Sequence, residues 1–304
     1  MKNFGRVAVL LGGRSRERSV SLRSGKAVLE ALRSKGVEAV PIDTRNGFSK
    51  VLKSDQINIA FIALHGSGGE DGSIQKFLTR RKIPFVGSNA KASATAFDKE
   101  RAKTLFLKHG IPTPKFKILT HDNWRKILRN WDESYVIKPT KEGSSIGVIL
   151  GLKESKNDAK IIRGLKRYKR LLIEEKIEGR EFTVGILGEK ALPVIELKPK
   201  RVFYDYKAKY TKGLTDYLIP APIPLREQKA LQRLALRVHR LLGMRDLSRV
   251  DMMVDREGRP FVLEANSIPG FTETSLLPKA ARRMGLHFSS LCLSLIKMAK
   301  NRKH

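Results

Sequence analysis

The feature that most constrains this chain is the alternation of short apolar runs with amphipathic stretches over its first third. Residues 6–11 read R-V-A-V-L-L and end in Gly12-Gly13. An apolar run of that length bounded by glycines predicts a buried strand of a parallel sheet. Residues 20–34 follow, with Leu22, Ala27, Leu29 and Leu32 spaced for one helix face. Residues 37–42 read as a second strand, and residues 57–64 (I-N-I-A-F-I-A-L) as a third that stops at the loop H-G-S-G-G-E-D-G. A helix over 73–81 and a strand over 83–86 complete the pattern. Strand, helix and strand in repeated alternation predict an open parallel sheet of Rossmann-like type.

The rest of the chain reads differently. Residues 88–109 predict one helix, ended by Pro112 and Pro114. Strands are expected at 116–119, 135–138, 171–176 and 181–187, with a helix near 123–129. Residues 204–224 are rich in Tyr, Lys and Pro without a period, which predicts a long functional loop. Leu231, Leu234, Ala235, Val238, Leu241 and Leu242 mark a helix with one buried face. Residues 247–254 and 260–265 flank D-R-E-G-R, so they predict a β-hairpin.

That hairpin carries the strongest chemical signal. Side chains alternate along a strand, so Arg249 and Asp251 share one face, as do Glu264 and Asn266 on the partner strand. If pairing aligns them, carboxylate and amide oxygens converge beside a guanidinium. Such oxygens suit a hard cation such as Mg²⁺, which usually also binds substrate phosphates. Taken alone, the set equally describes a hairpin with solvated charges. The apolar flanks weigh against that reading, because buried carboxylates need partners or metals.

Three other segments can bear chemistry. Lys138 ends the strand-like Y-V-I-K-P and precedes the loop E-G-S-S-I-G (residues 142–147). Backbone and hydroxyl donors in such a loop can hold phosphate oxygens, and a lysine beside it would offset their charge. A P-loop signature is absent, and a Gly/Ser loop by itself is commonly a plain turn. His65 and Glu17 both follow predicted strands, and ligands in open α/β sheets bind at the carboxyl ends of strands.

Composition excludes some classes. Hydrophobic residues make up 41% and charged residues 30%, an ordinary soluble balance. No apolar run approaches the ~20 residues of a membrane helix. The opening residues lack the apolar core of a signal peptide, so a cytoplasmic location is expected. Cys292 is the only cysteine, in an apolar helical pattern, and reads as a buried spectator. The net charge of +31 attracts polyanions, but Lys and Arg are spread along the whole chain. Without a basic tail or an aromatic-interleaved patch, a nucleic-acid partner is not expected.

Taken together and in order, the motifs resemble the D-alanine–D-alanine ligase family of the ATP-grasp superfamily. The stretches that carry the resemblance are G-G-R-S-R-E-R-S-V-S-L (12–22), A-L-H-G-S-G-G-E-D-G (63–72), D-K (98–99) and V-I-K-P-T-K-E-G-S-S-I-G-V (136–148). They continue with E-G-R-E-F-T-V (178–184), F-Y-D-Y-K-A-K-Y (203–210), S-R-V-D (248–251) and L-E-A-N-S-I-P-G-F-T-E-T-S-L-L-P (263–278). The resemblance runs nearly end to end. It implies an α/β chain, α+β in part, with an N-terminal Rossmann-like parallel-sheet domain (1–95). A small central ATP-binding domain (96–180) and a C-terminal mixed-sheet catalytic domain (181–304) would follow.

The resemblance also implies roles. Lys99 and Lys138 would contact the ATP phosphates, under a loop carrying Ser144 and Ser145. Glu174 and the Ile177 backbone would read adenine and Glu181 the ribose, with Phe203, Met253 and Leu263 flanking the base. Asp251, Glu264 and Asn266 would hold two Mg²⁺, with Mn²⁺ as an alternative ion. Glu17 would anchor the ammonium of the first D-alanine, with His65 nearby. Arg249 and the Gly270 amide would form the oxyanion hole, and Ser275 and the Leu276 amide would take the second carboxylate. Tyr210, linked to Glu17 and Ser144, would close the lid, and Lys209 would reach the γ-phosphate. ATP would phosphorylate one D-alanine and the second would attack the acyl phosphate, in a homodimer without membrane insertion. A D-lactate or D-serine ligase is the related alternative. Departures from the family pattern fall at Lys176, Lys207, Ser267 and Phe271.

Overall fold

The computed structural model describes residues 4–46, 49, 56–152, 157–200 and 213–302. The chain opens with β1 (Val7–Leu11), α1 (Arg18–Arg33), β2 (Ala39–Asp43) and β3 (Ile59–Ile62), which form a parallel sheet in the order β2-β1-β3. Both faces of this sheet are covered, which is why β1 and β3 are apolar and buried throughout, whereas the edge strand β2 is only partly buried. Val7, Val9 and Phe61 face the α1 residues Val28 and Leu32. Ala8, Leu10 and Ile62 face Ile74 and Leu78 of α2 (Ser73–Arg80). Residues 83–86, expected as a strand, contribute only an isolated bridge between Ala60 and Phe85.

The single helix expected over 88–109 is two helices, α3 (Ala90–Phe97) and α4 (Lys99–Lys108). Asp98 breaks them. It adopts an extended conformation, and its carboxylate accepts a hydrogen bond from the Arg101 amide at 3.3 Å. A side-chain oxygen that satisfies a new N-terminus makes the break cheap.

A four-stranded antiparallel sheet follows, built from β4 (Phe116–Leu119), β5 (Tyr135–Pro139), β6 (Ile149–Gly151) and β7 (Leu171–Glu175) in the order β4-β7-β5-β6. Helices α5 (Trp124–Arg129) and α6 (Asp158–Tyr168) cover one face, with Ile161 and Leu165 packed on Ile137 and Ile173.

The third sheet contains β8 (Gly179–Leu187), β9 (Lys190–Ala191), β10 (Ile195–Pro199), β11 (Thr215–Leu218), β12 (Leu247–Asp255) and β13 (Pro260–Asn266). Every described pairing in it is antiparallel, where the resemblance implied a mixed sheet. Parallel pairs need a long crossover, whereas turns such as 256–259 return the chain directly. Strand β11 also lies inside the stretch expected to be loop; pairing with β10 supplies the order that its sequence period does not. Helix α7 (Leu225–Leu241) packs Leu231, Ala235 and Val238 on this sheet. Two terminal helices, α8 (Leu276–Arg283) and α9 (Phe288–Lys300), return to the first unit. Leu291, Leu295 and Ile296 share a core with Val7, Val28 and Phe61. Cys292 is buried there, and burial pushes its thiol well above the usual range. No helix among the described residues is long and apolar enough to cross a membrane.

Candidate active site

A cavity of about 720 Å³ lies between the second and third sheets. Its floor is the β12–β13 hairpin. The observed register pairs Arg249 with Asn266 and Asp251 with Glu264, the alignment that the metal reading required. Between Asp251 and Met252 the register shifts, leaving Leu263 opposite no partner. Strict alternation would aim Leu263 and Glu264 to opposite faces. The bulge lets both line the cavity, together with Asp251 and Met253.

Asp251 is tightly held. Arg249 donates to it through Nε at 2.8 Å and a terminal nitrogen at 2.7 Å, a bidentate pair. Thr183 Oγ1 donates to its Oδ1 at 2.6 Å, and Asn266 donates to its Oδ2 at 3.0 Å. Glu264 lies 3.4 Å from Lys99 Nζ. Among the described residues no three His, Cys, Asp or Glu side chains cluster as a metal shell. The set here is two cross-strand carboxylates and one amide. These are hard oxygen donors that fit a cation sharing its shell with phosphate and water.

The walls bring in the cations. Lys99, the first residue of α4, donates from its Nζ to the Glu142 carbonyl at 2.6 Å. Lys138, on β5, lies 2.5 Å from Glu174 of β7. Between them runs the 143–147 loop, where Ser144 and Ser145 hold φ of 52° and 58°. Left-handed backbone costs a non-glycine residue about 1–2 kcal/mol. The Ser144 hydroxyl is bonded to Glu17 Oε1, which ties this loop to the first sheet. Ile177, Glu181, Met253 and Leu263 line the far end of the same cavity, and Glu181 is paired with Met253 across β8 and β12.

Glu17 and His65 are both buried at the carboxyl ends of β1 and β3. His65 Nε2 is 3.1 Å from Ser24 Oγ, and its Nδ1 is 3.5 Å from Glu70. Gly66 has φ 70°, and a Cβ there would sit 2.8 Å from Glu17 Oε2, so a side chain would displace that carboxylate. Ser275 immediately precedes α8, its Oγ accepting from the upstream Thr272 amide at 3.0 Å, and Leu276 is the first helical residue. Gly270 lies beside it, since a Cβ would come 3.3 Å from Ser275 Oγ. Phe203, Lys207, Lys209 and Tyr210 lie outside the described residues.

Two residues escaped the sequence reading. Thr183 holds Asp251, and its signal was present: it stands two residues after Glu181 on one strand face. Lys103 stands one helical turn after Lys99 and pairs with Glu174 at 2.9 Å.

A family model described as "D-ala D-ala ligase C-terminus" matches residues 105–297. One described as "D-ala D-ala ligase N-terminus" matches residues 6–48 and 43–88. The chain belongs to the D-alanine–D-alanine ligase family. A D-alanine–D-alanine ligase of Methylacidiphilum infernorum is 46% identical over 96% of this chain and 95% of its own length. One of Aromatoleum aromaticum is 44% identical over 98% and 96%. The solved structure of the Bacillus anthracis ligase complexed with ATP superposes with a TM-score of 0.82 at 30% identity, covering 97% of both chains. The VanG D-Ala:D-Ser ligase of Enterococcus faecalis gives 0.83 at 30% identity, covering 97% of this chain and 99% of that one. The α/β architecture and the ATP-grasp expectation therefore stand for this family member.

Proposed function

We propose that this chain joins two D-alanines at the expense of ATP, supplying a peptidoglycan precursor. The observation that carries this reading is the convergence of the Asp251–Glu264 cross-strand pair with Lys99 and Lys138 on one cavity. A carboxylate is a poor electrophile, so the first D-alanine is phosphorylated on its carboxyl oxygen and ADP leaves. The amine of the second D-alanine then attacks the acyl phosphate, expelling inorganic phosphate.

Roles follow from position. Lys99, Lys138 and the Ser144–Ser145 loop bind the phosphates. Glu174, the Ile177 backbone, Glu181, Met253 and Leu263 hold the nucleoside, with Phe203 assigned alongside. Asp251, Glu264 and Asn266 would hold two Mg²⁺ (or Mn²⁺), which when bound offset charge on the transferring phosphoryl group. Glu17 anchors the first ammonium, with His65 behind it. Arg249 and the Gly270 amide stabilise the tetrahedral oxyanion. Ser275 and the Leu276 amide take the second carboxylate. Lys209 and Tyr210 belong to the lid, which keeps water from the acyl phosphate.

We also assign a cytoplasmic homodimer, with domains at 1–95, 96–180 and 181–304. The three separate sheets support a division into three units, while residues 95/96 and 180/181 fall inside α3 and β8 and the terminal helices pack with the first sheet. Product analysis with ATP, D-alanine and either D-serine or D-lactate tests the function. Formation of D-alanyl-D-alanine is expected. Its absence beside D-alanyl-D-serine or D-alanyl-D-lactate would move the chain to the related ligases. Salt-sensitive nucleic-acid binding without ligation would overturn the reading.

A further inference from the structure

Glu174 is a carboxylate with two lysines. Its Oε1 lies 2.5 Å from Lys138 Nζ and its Oε2 lies 2.9 Å from Lys103 Nζ. Both Glu174 and Lys103 are out of solvent, at 3% and 1% exposure. The two lysines are not equivalent. Lys138 and Glu174 line the cavity, whereas Lys103 does not. Lys103 lies behind Glu174, its Nζ 2.5 Å from Thr113 Oγ1, and that hydroxyl donates to the Val262 carbonyl at 2.7 Å. Thr113 thereby ties Lys103 to the hairpin that carries Glu264.

A buried carboxylate holds strongly to a lone cation, because either charge left unpaired is costly. Lys138 has three donors and can reach both groups, but phosphate oxygens then compete with Glu174 for its single charge. Burial lowers the Lys103 ammonium to about 8 while the Glu174 carboxylate acts to raise it. We infer that Lys103 is a positioning residue: it is the permanent counter-ion of Glu174, and so releases Lys138 to the phosphates of ATP. This rests on the ATP-binding roles proposed for Lys138 and Glu174. Lys103 touches no substrate and acts through Glu174.

The test is ATP affinity, measured by calorimetry without D-alanine, together with kcat and KM from ADP release. Lys103→Met should weaken ATP binding about 10- to 100-fold, the scale of one charge-assisted bond. At saturating ATP its kcat should stay within about threefold of wild type, because the variant loses binding rather than chemistry. Glu174→Gln keeps a carbonyl oxygen without the charge. In that background Lys103→Met should change ATP affinity less than about threefold, the signature of two residues acting as one unit.

Wild-type ATP affinity in Lys103→Met would overturn the inference. An equal loss in both backgrounds would also do so, since it marks a plain structural tie. If Lys103→Met does not fold, a loss of more than about threefold on adding Lys103→Met to Glu174→Gln would still overturn the inference. A wild-type protein that binds no ATP would instead sink the ligase reading.

Discussion

Thr183→Val is the most informative single change. Thr183 is fully buried and donates to Asp251 Oδ1 at 2.6 Å. Valine keeps the β-branched shape that suits the strand and removes only the hydroxyl. A hydrogen bond to a charged group contributes about 1.5–3 kcal/mol. Arg249 and Asn266 keep their bonds to the same carboxylate, so the lower end applies. A loss of about 1.5 kcal/mol would lower Tm by roughly 2 °C for a chain of this size. The larger effect falls on the metal requirement. Partners that orient a metal-binding carboxylate typically change affinity about 10- to 100-fold. The assay is ADP release across a Mg²⁺ titration at saturating ATP and D-alanine. The half-saturating Mg²⁺ concentration should rise at least about tenfold. If that midpoint stays at the wild-type value while Tm falls as expected, Asp251 does not hold the cation and the metal assignment fails.

Other outcomes follow from the same geometry. Glu264→Ala should abolish ADP release and ligation, and full activity in a folded variant would refute the hairpin site. Arg249→Ala should lower kcat by about 10²–10³, the usual loss for an oxyanion donor, measured by coupled ADP release. Hydrogen bonding and charge from Arg18, opposed by burial, lower the Asp43 carboxyl to about 2. A depressed carboxyl stabilises the fold above its unfolded pKa, and that contribution is lost as pH falls through the folded value. The stability gap between wild type and Arg18→Met should therefore be constant from about pH 5 to 8 and shrink between about pH 4 and 2, checked by denaturant titration. Cys292 is buried with its thiol raised, so it should react with an aromatic disulfide reagent only after unfolding. Rapid labelling of the native protein would contradict the packing of α9.

Much of the architecture was legible because it rests on local periodicity. The parallel sheet, the amphipathic face of α7 and the β12–β13 hairpin all follow from spacing that any segment of the chain carries within itself. Lys138, Asp251 and Glu264 were legible as well, since charge in an apolar frame marks a site; Glu17 and His65 were legible from their places after strands, and Lys99 only through the family resemblance. The break at Asp98 was hidden, because a helical period runs across it and only the Asp98–Arg101 cap reveals two helices. Strand β11 was hidden in a stretch without period, because its order comes from pairing with β10.

The chain by itself thus determined which groups are available for chemistry and which segments carry them. Only the tertiary structure decided their geometry. The bulge at Leu263 turns two consecutive residues toward one cavity, against the alternation that strand periodicity dictates. Thr183 meets Asp251 through the pairing of β8 with β12, and Lys103 meets Glu174 through a helix laid against a strand. Each depends on contacts between residues far apart in sequence. Local pattern is blind to such contacts, because burial and charge pairing are settled by what the other elements bring.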